Sequence, residues 1–235
     1  ILVCLVGSEM CIRDRILWTP LILYPPMMQD LQNYPEDLTG VFLALRGLGT
    51  LCGSTFLVFI NKKLDPRFIL SVGFLLQGIA GFYMSHFDIN LSAFELAWTN
   101  SLAGLGVGFV WVPLTLITFN TLDKKFLNEA SAFWHLIRNI GSSISISITI
   151  ALVIRSTAIN YADLSSFISI FGDSTSVMPL KGTTAPSGVE SLSGLSKEIV
   201  RQSEMIGYIN AFHLYYWIAF SIIPLVWLAP LKPQN

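Results

Sequence analysis

The stretch GLGVGFVWVPLTLITFNT, Gly104 to Thr121, contains no charged residue. With the apolar residues around it, it makes a candidate span at about Leu96–Leu122, long enough for the roughly 20 residues a helix needs to cross hydrocarbon. Gly104, Gly106 and Gly108 permit close helix contact. Pro113 releases a backbone carbonyl, which hydroxyls such as those of Thr115 and Thr118, or water, can satisfy only where the helix faces protein or a cavity. Packing is the plain role for these residues, and lining a substrate path is the functional one.

The rest of the chain has the same character. Of its 235 residues 53% are hydrophobic and 12% are charged, against about 25% charged in soluble domains. The mean hydropathy is +0.62. So few charges cannot cover a water-facing surface, and the fold class is all-α integral membrane. A net charge of −1 leaves no basic face for nucleic acid. Cys4, Cys11 and Cys52 offer neither a disulfide framework nor metal-ligand spacing. No nucleophile–base constellation points to an enzyme.

Four further spans are expected, at about Leu38–Ile60, Phe68–His86, Ala130–Ile154 and Ala211–Leu231, besides a partial one at Ile16–Met28 interrupted by Pro25 and Pro26. Connections are short except Arg155–Asn210, which is polar and rich in Ser, Gly and Thr. Lys62, Lys63 and Arg67, then Lys124 and Lys125, occupy alternate short loops, and Lys232 the tail. These loops and the C-terminus are therefore expected on the cytoplasmic side, with loop 155–210 outside. Within that loop, LSKEIVRQSEMIGYINAF has helical apolar spacing and reads as an amphipathic helix lying on the outer surface.

Arg46 and Arg138 lie within spans, where an ionisable residue must face a bundle interior or wet cavity. Snorkelling to the interface is the alternative for both. His135 shares a helical face with Arg138, and Asn139 lies close to it. Three polar side chains on one stripe favour a lined cavity. Ser143 and Ser147 also share a face, suited to helix packing. No Asp or Glu lies at mid-depth in a full span, so proton coupling has no carboxylate here to use.

The stretches YPEDLTGVFLALRGLGT, INKKLDPRFIL, GLGVGFVWVPLTLITFNTL, ASAFWHLIRNIGSSISISI and VRQSEMIGYINAFHL follow one another in a familiar order. They resemble the C-terminal half of the fourteen-span drug:proton antiporters of the major facilitator superfamily, the EmrB/QacA type. The resemblance covers residues 16–235. It implies a six-helix C-terminal domain of a major facilitator fold, with the first helix truncated and a large periplasmic loop before the last. It implies export of hydrophobic compounds by alternating access in a bacterial inner membrane, driven by a proton gradient and needing no cofactor. The partners it implies are the absent N-terminal half, the lipid bilayer and, in Gram-negative members, a periplasmic adaptor and outer-membrane channel. Arg46 and Arg138 fall on the family's arginines. With His135, Asn139, Pro113, Thr115 and Thr118 they are the candidates for substrate cavity or coupling. Lys62, Lys63, Asp65 and Arg67 form the cytoplasmic inter-helix loop, where Val58 replaces the family's usual Gly and Lys62 an Asp. His135 stands where Asn is common, and Asn210 where Asp is common. Export of a siderophore or other metabolite, or a non-transporting scaffold or sensor, are the alternatives.

The opening LVGSEMCIRDR, Leu5 to Arg15, has no helical or strand periodicity. It matches the in-frame translation of a transposase-type sequencing adapter. Residues 1–15 are therefore expected to be non-native, with the transmembrane domain occupying 16–235.

Overall fold

A computed structural model describes residues 19–60, 65–120, 127–166 and 189–228. The adapter-like tract 1–15, Lys62, Lys63 and the middle of the expected external loop lie outside these residues. All regular structure among the described residues is helical. Helix α1 covers residues 19–26 and widens into a π-helical turn at Met27–Leu31. It is followed by α2 (Glu36–Ile60), α3 (Pro66–Met84), α4 (Ala93–Asn120), α5 (Leu127–Ser166) and α6 (Val189–Leu228). Four of these contain segments long and apolar enough to cross a membrane: Glu36–Phe59, Pro66–Met84, Asn128–Ser166 and Ser196–Pro224.

Pro25 and Pro26 do not interrupt the first helix. Pro26 keeps helical angles, φ −65° and ψ −37°. The wider π turn follows the two prolines directly. The chain then reverses at Asn33, which takes φ +54°, an angle that Asn tolerates better than most residues. The Tyr34 N–H closes the turn on the Met28 carbonyl at 3.0 Å. Tyr24, Met27, Met28 and Leu31 are fully buried. The Tyr24 ring meets Phe87 and Phe212 edge-on, with centroids 6.5 and 6.1 Å away.

The packing order is α2 on α4, α4 on α3, α3 on α6 and α6 on α5. The alternating glycines of α4 explain its central place. Gly104 and Gly108 face α2, where a Cβ on Gly104 would strike the Arg46 carbonyl and one on Gly108 would lie 2.6 Å from the Thr50 carbonyl. Gly106 faces α3, where a Cβ would lie 3.0 Å from the Gly73 carbonyl. On α2, Gly49 and Gly53 meet this surface, a Cβ on Gly53 falling 2.8 Å from the Leu105 carbonyl. One helix thus brings two backbones close by small residues spaced i and i+4 on one side and a single glycine on the other.

Helix α5 is inside-out by the standards of a soluble protein. Phe133, Leu136, Ile140, Ile144 and Ile148 form an exposed apolar stripe, whereas Ser142, Ser145 and Thr149 are buried. Each of these hydroxyls donates to a carbonyl of its own helix three or four residues earlier, which makes hydroxyls inexpensive in a membrane helix. Ser143 and Ser147, expected to serve packing, are exposed instead.

The structure corrects the expected long loop. Helix α5 continues past Ile154 to Ser166, and α6 begins at Val189. The segment expected to lie flat on the surface is the first half of α6, continuous with the last span. At 1.5 Å per residue each 40-residue helix is about 60 Å long, about twice the hydrocarbon thickness. The polar ends stay helical because they pack on each other. A Cβ on Gly207 would strike the Thr157 hydroxyl, and Asn210 donates to Ser156 Oγ at 2.6 Å.

Candidate functional site

Polar side chains from five helices converge behind the α2–α4 contact. Arg46 on α2 is buried, with a relative exposure of 6%. Its guanidinium is close enough to interact electrostatically with Tyr24 of α1 and Tyr215 of α6. The Tyr24 and Thr99 hydroxyls are 2.9 Å apart. The Tyr215 hydroxyl donates to Oε1 of Gln77 on α3. Asn100 on α4 donates to the Phe42 carbonyl of α2 at 2.8 Å. Thr50 donates to the Gly104 carbonyl at 3.1 Å. Tyr24, Gln77, Asn100 and Tyr215 are all buried to within 1%, so every donor and acceptor they leave unmatched carries its full desolvation cost. Gln77 Nε2 and Asn100 Oδ1 have no hydrogen-bond partner.

Burial of Arg46 removes the snorkelling alternative for that residue. The cluster around it was not visible as such in the sequence. Tyr24, Gln77, Thr99, Asn100 and Tyr215 are uncharged, so a search for ionisable groups at membrane depth passes over them. The signal available was the pair of amides, Gln77 in FLLQGIAG and Asn100 in WTNSLAG, each amid apolar residues.

Arg138 lies elsewhere. Its guanidinium carbon sits 4.3 Å from the centroid of the Trp111 ring on α4 and 5.7 Å from that of Trp134 on its own helix. The two indoles meet edge-on at 6.3 Å. Seven residues of α4 separate Gly104, beside Arg46, from Trp111, or about 10 Å along the helix axis. The structure therefore does not gather the expected residues into one place. Pro113 is buried, and Thr115 donates to the Trp111 and Val112 carbonyls of its own helix at 3.1 and 2.9 Å. His135 and Asn139 are exposed. His135 touches the Trp134 ring at a centroid distance of 4.9 Å, but neither residue turns inward with Arg138. The side chain of Thr118 lies outside the described part.

Asp65 and Arg67 stand at the start of α3. The exposed Asp65 precedes Pro66, the favoured first residue of a helix, and its carbonyl accepts from the Phe68 and Ile69 N–H groups at 3.0 and 3.3 Å. Arg67 is half-buried. Among the described residues no His, Cys, Asp and Glu side chains gather into a metal-binding group.

No protein-family model matches the chain. It aligns over 211 residues, 89% of its length, with the Multidrug export protein EmrB of Escherichia coli (strain K12), at 23% identity. It aligns over 216 residues with the Probable multidrug resistance protein EmrY of the same strain at 27% identity. The Fatty acid resistance protein FarB of Neisseria gonorrhoeae is 21% identical over 212 residues. The chain is similar to EmrB-type exporters. The matched region spans 41% of the length of each of these relatives. The likeness and the apolar helices together make it a multi-pass membrane protein.

Proposed function

We propose that residues 16–235 form the C-terminal transmembrane domain of a proton-coupled multidrug exporter of a bacterial inner membrane. The observation that carries this reading is the alignment with named drug exporters along 89% of the chain. In this reading the other half of the transporter supplies the remaining cavity wall and the proton-coupling carboxylates. The described spans hold carboxylates only toward their ends, such as Glu36, Asp37, Glu129, Asp163, Glu198 and Glu204. The two halves rock about a midplane site. Arg46 and Arg138, with Pro113 and Thr115, act from this half. The basic inter-helix loops and the C-terminus face the cytoplasm, and the polar ends of α5 and α6 project outward. A periplasmic adaptor and outer-membrane channel are the further partners this reading supplies.

The test is drug susceptibility of an efflux-deficient bacterium expressing a gene that carries this region within the full length of its relatives. Arg46→Ala and Arg138→Ala should each abolish resistance to a hydrophobic drug at unchanged membrane abundance. Unchanged resistance in both would remove this half from the export mechanism.

A further inference from the structure

Two of the chain's three histidines meet just beyond the end of α3. His86 follows the cap of that helix and is exposed, and His213 is half-buried on α6. Their ring centroids are 6.4 Å apart. The packing of the two helices sets this approach. A Cβ on Gly81 would strike the Tyr215 ring and lie 3.0 Å from the Tyr216 Cβ. Only glycine lets α3 come this close to α6 just before His86. Aromatic neighbours flank both histidines. Phe82 stands 4.5 Å from His86 and Tyr216 stands 5.4 Å from His213, while Phe82 and Tyr216 meet edge-on at 6.0 Å. Rings braced in this way give up less rotamer freedom when they take a ligand.

The proton on one ring is assigned by its neighbour. His86 Nδ1 lies 2.8 Å from the Phe82 carbonyl. A carbonyl only accepts, so Nδ1 carries the proton and Nε2 keeps the lone pair. A ring N–H held by a backbone carbonyl is the usual support behind a metal-binding imidazole. A metal ion lies about 2.1 Å from each imidazole nitrogen, which puts two ring centroids about 5 Å apart in a tetrahedral shell. The 6.4 Å separation closes to that value by small rotations of one exposed and one half-buried side chain. No third His, Cys, Asp or Glu among the described residues joins the pair. The pair is therefore a two-point clamp that leaves positions open to water, not the closed group of a structural metal.

We propose that His86 and His213 form a binding site for late first-row divalent cations, Ni²⁺, Cu²⁺ and Zn²⁺, that ties the end of α3 to α6. Imidazole nitrogen suits these ions, whereas Ca²⁺ and Mg²⁺ require oxygen ligands. The bound ion replaces a ring contact between the helices by two coordinate bonds and stiffens their junction at this end. The proposal stands apart from the exporter reading. Metal binding tests the clamp, whereas drug resistance tests export, so either can fail alone.

The experiment is calorimetric titration of Ni²⁺ into the untagged full chain in detergent, with Ca²⁺ as the control ion. Ni²⁺ should bind one to one, and weaker by about tenfold or more in His86→Gln and in His213→Gln. His135→Gln, which removes the third histidine, should bind as the parent does. Electron paramagnetic resonance of bound Cu²⁺ counts the ligands: two imidazole nitrogens in the parent and no more than one in either variant. Unchanged Ni²⁺ affinity in His86→Gln or in His213→Gln would overturn the proposal. So would equal weakening in His135→Gln, equal binding of Ca²⁺, or a single imidazole nitrogen in the parent's Cu²⁺ spectrum.

Discussion

Gly104→Ala tests the α2–α4 contact that positions Arg46. The added Cβ would fall on the Arg46 carbonyl oxygen and 3.1 Å from its Cα. Both are backbone atoms, so no rotamer change relieves the clash. The two helices must separate. Separation stretches the Asn100–Phe42 and Thr50–Gly104 hydrogen bonds, now 2.8 and 3.1 Å. Interhelical hydrogen bonds in membranes are worth about 0.6 kcal/mol on average, and overpacking costs about 1–3 kcal/mol. The expected loss is therefore about 2–4 kcal/mol. The matched control is Gly40→Ala on the same α2, where a Cβ would meet nothing within 4 Å; it should be neutral or stabilise by up to about 1 kcal/mol through helix propensity. Reversible unfolding in mixed micelles, followed by far-UV circular dichroism, compares them. If Gly104→Ala unfolds within about 0.5 kcal/mol of the parent, a spread commonly seen for substitutions that touch nothing, the close-approach reasoning is wrong.

Three further outcomes follow from named contacts. Tyr215→Phe should cost about 1–2 kcal/mol because it strands the buried Gln77 carbonyl; Gln77→Leu combined with Tyr215→Phe should cost less than the sum, and strict additivity in the double-mutant cycle would deny the bond. At the start of α4, the Ser92 N–H and hydroxyl donate to Glu95 Oε2 at 3.0 and 2.9 Å while the Glu95 N–H donates to Ser92 Oγ at 3.2 Å, a reciprocal helix cap. These bonds hold the Glu95 carboxyl below its ordinary value of 4.5. Its stabilisation is thus present above that value and lost as pH falls through the depressed one; Ser92→Ala should return the Glu95 titration, read by NMR, toward the ordinary value. Asn210→Ala removes the 2.6 Å bond to Ser156, so amide exchange should quicken in residues 156–166 and 196–207 and stay unchanged in α2 and α3; uniform exchange rates across the chain would mean the α5–α6 extension is not held by this contact.

Hydropathy located all the main helices, because crossing hydrocarbon forces every backbone group into a helix and forbids charge on its outer face. It misplaced their ends for the same reason. Hydropathy reports where the membrane stops, not where the helix stops. Beyond Ile154 and before Ala211 the chain turns polar, yet Gly207 against Thr157 and Asn210 against Ser156 keep the two helices paired. That pairing is a contact between residues some 50 positions apart, and no window along the sequence contains it. Pro25 and Pro26 misled in the opposite direction, since the helix continues through what the local rule treats as a break.

The candidate site was legible to the extent that it is charged. Arg46 stood out because ionisation at depth is costly, and its burial beside Tyr24 and Tyr215, which in turn bond Thr99 and Gln77, is the structural answer to that cost. Those partners bear no charge, and each alone reads as ordinary packing. Helical periodicity set His135, Arg138 and Asn139 on neighbouring positions of one stripe, but periodicity assigns only directions about one axis, whereas a long side chain chooses among neighbours. The Arg138 guanidinium reached across to an indole of α4 that lies 27 residues earlier. His135 and Asn139, shorter and placed toward the open side, could not follow. Spacing along α5 could therefore nominate Arg138, but only the approach of α4, set by glycines chosen for a different contact, decided what it would touch.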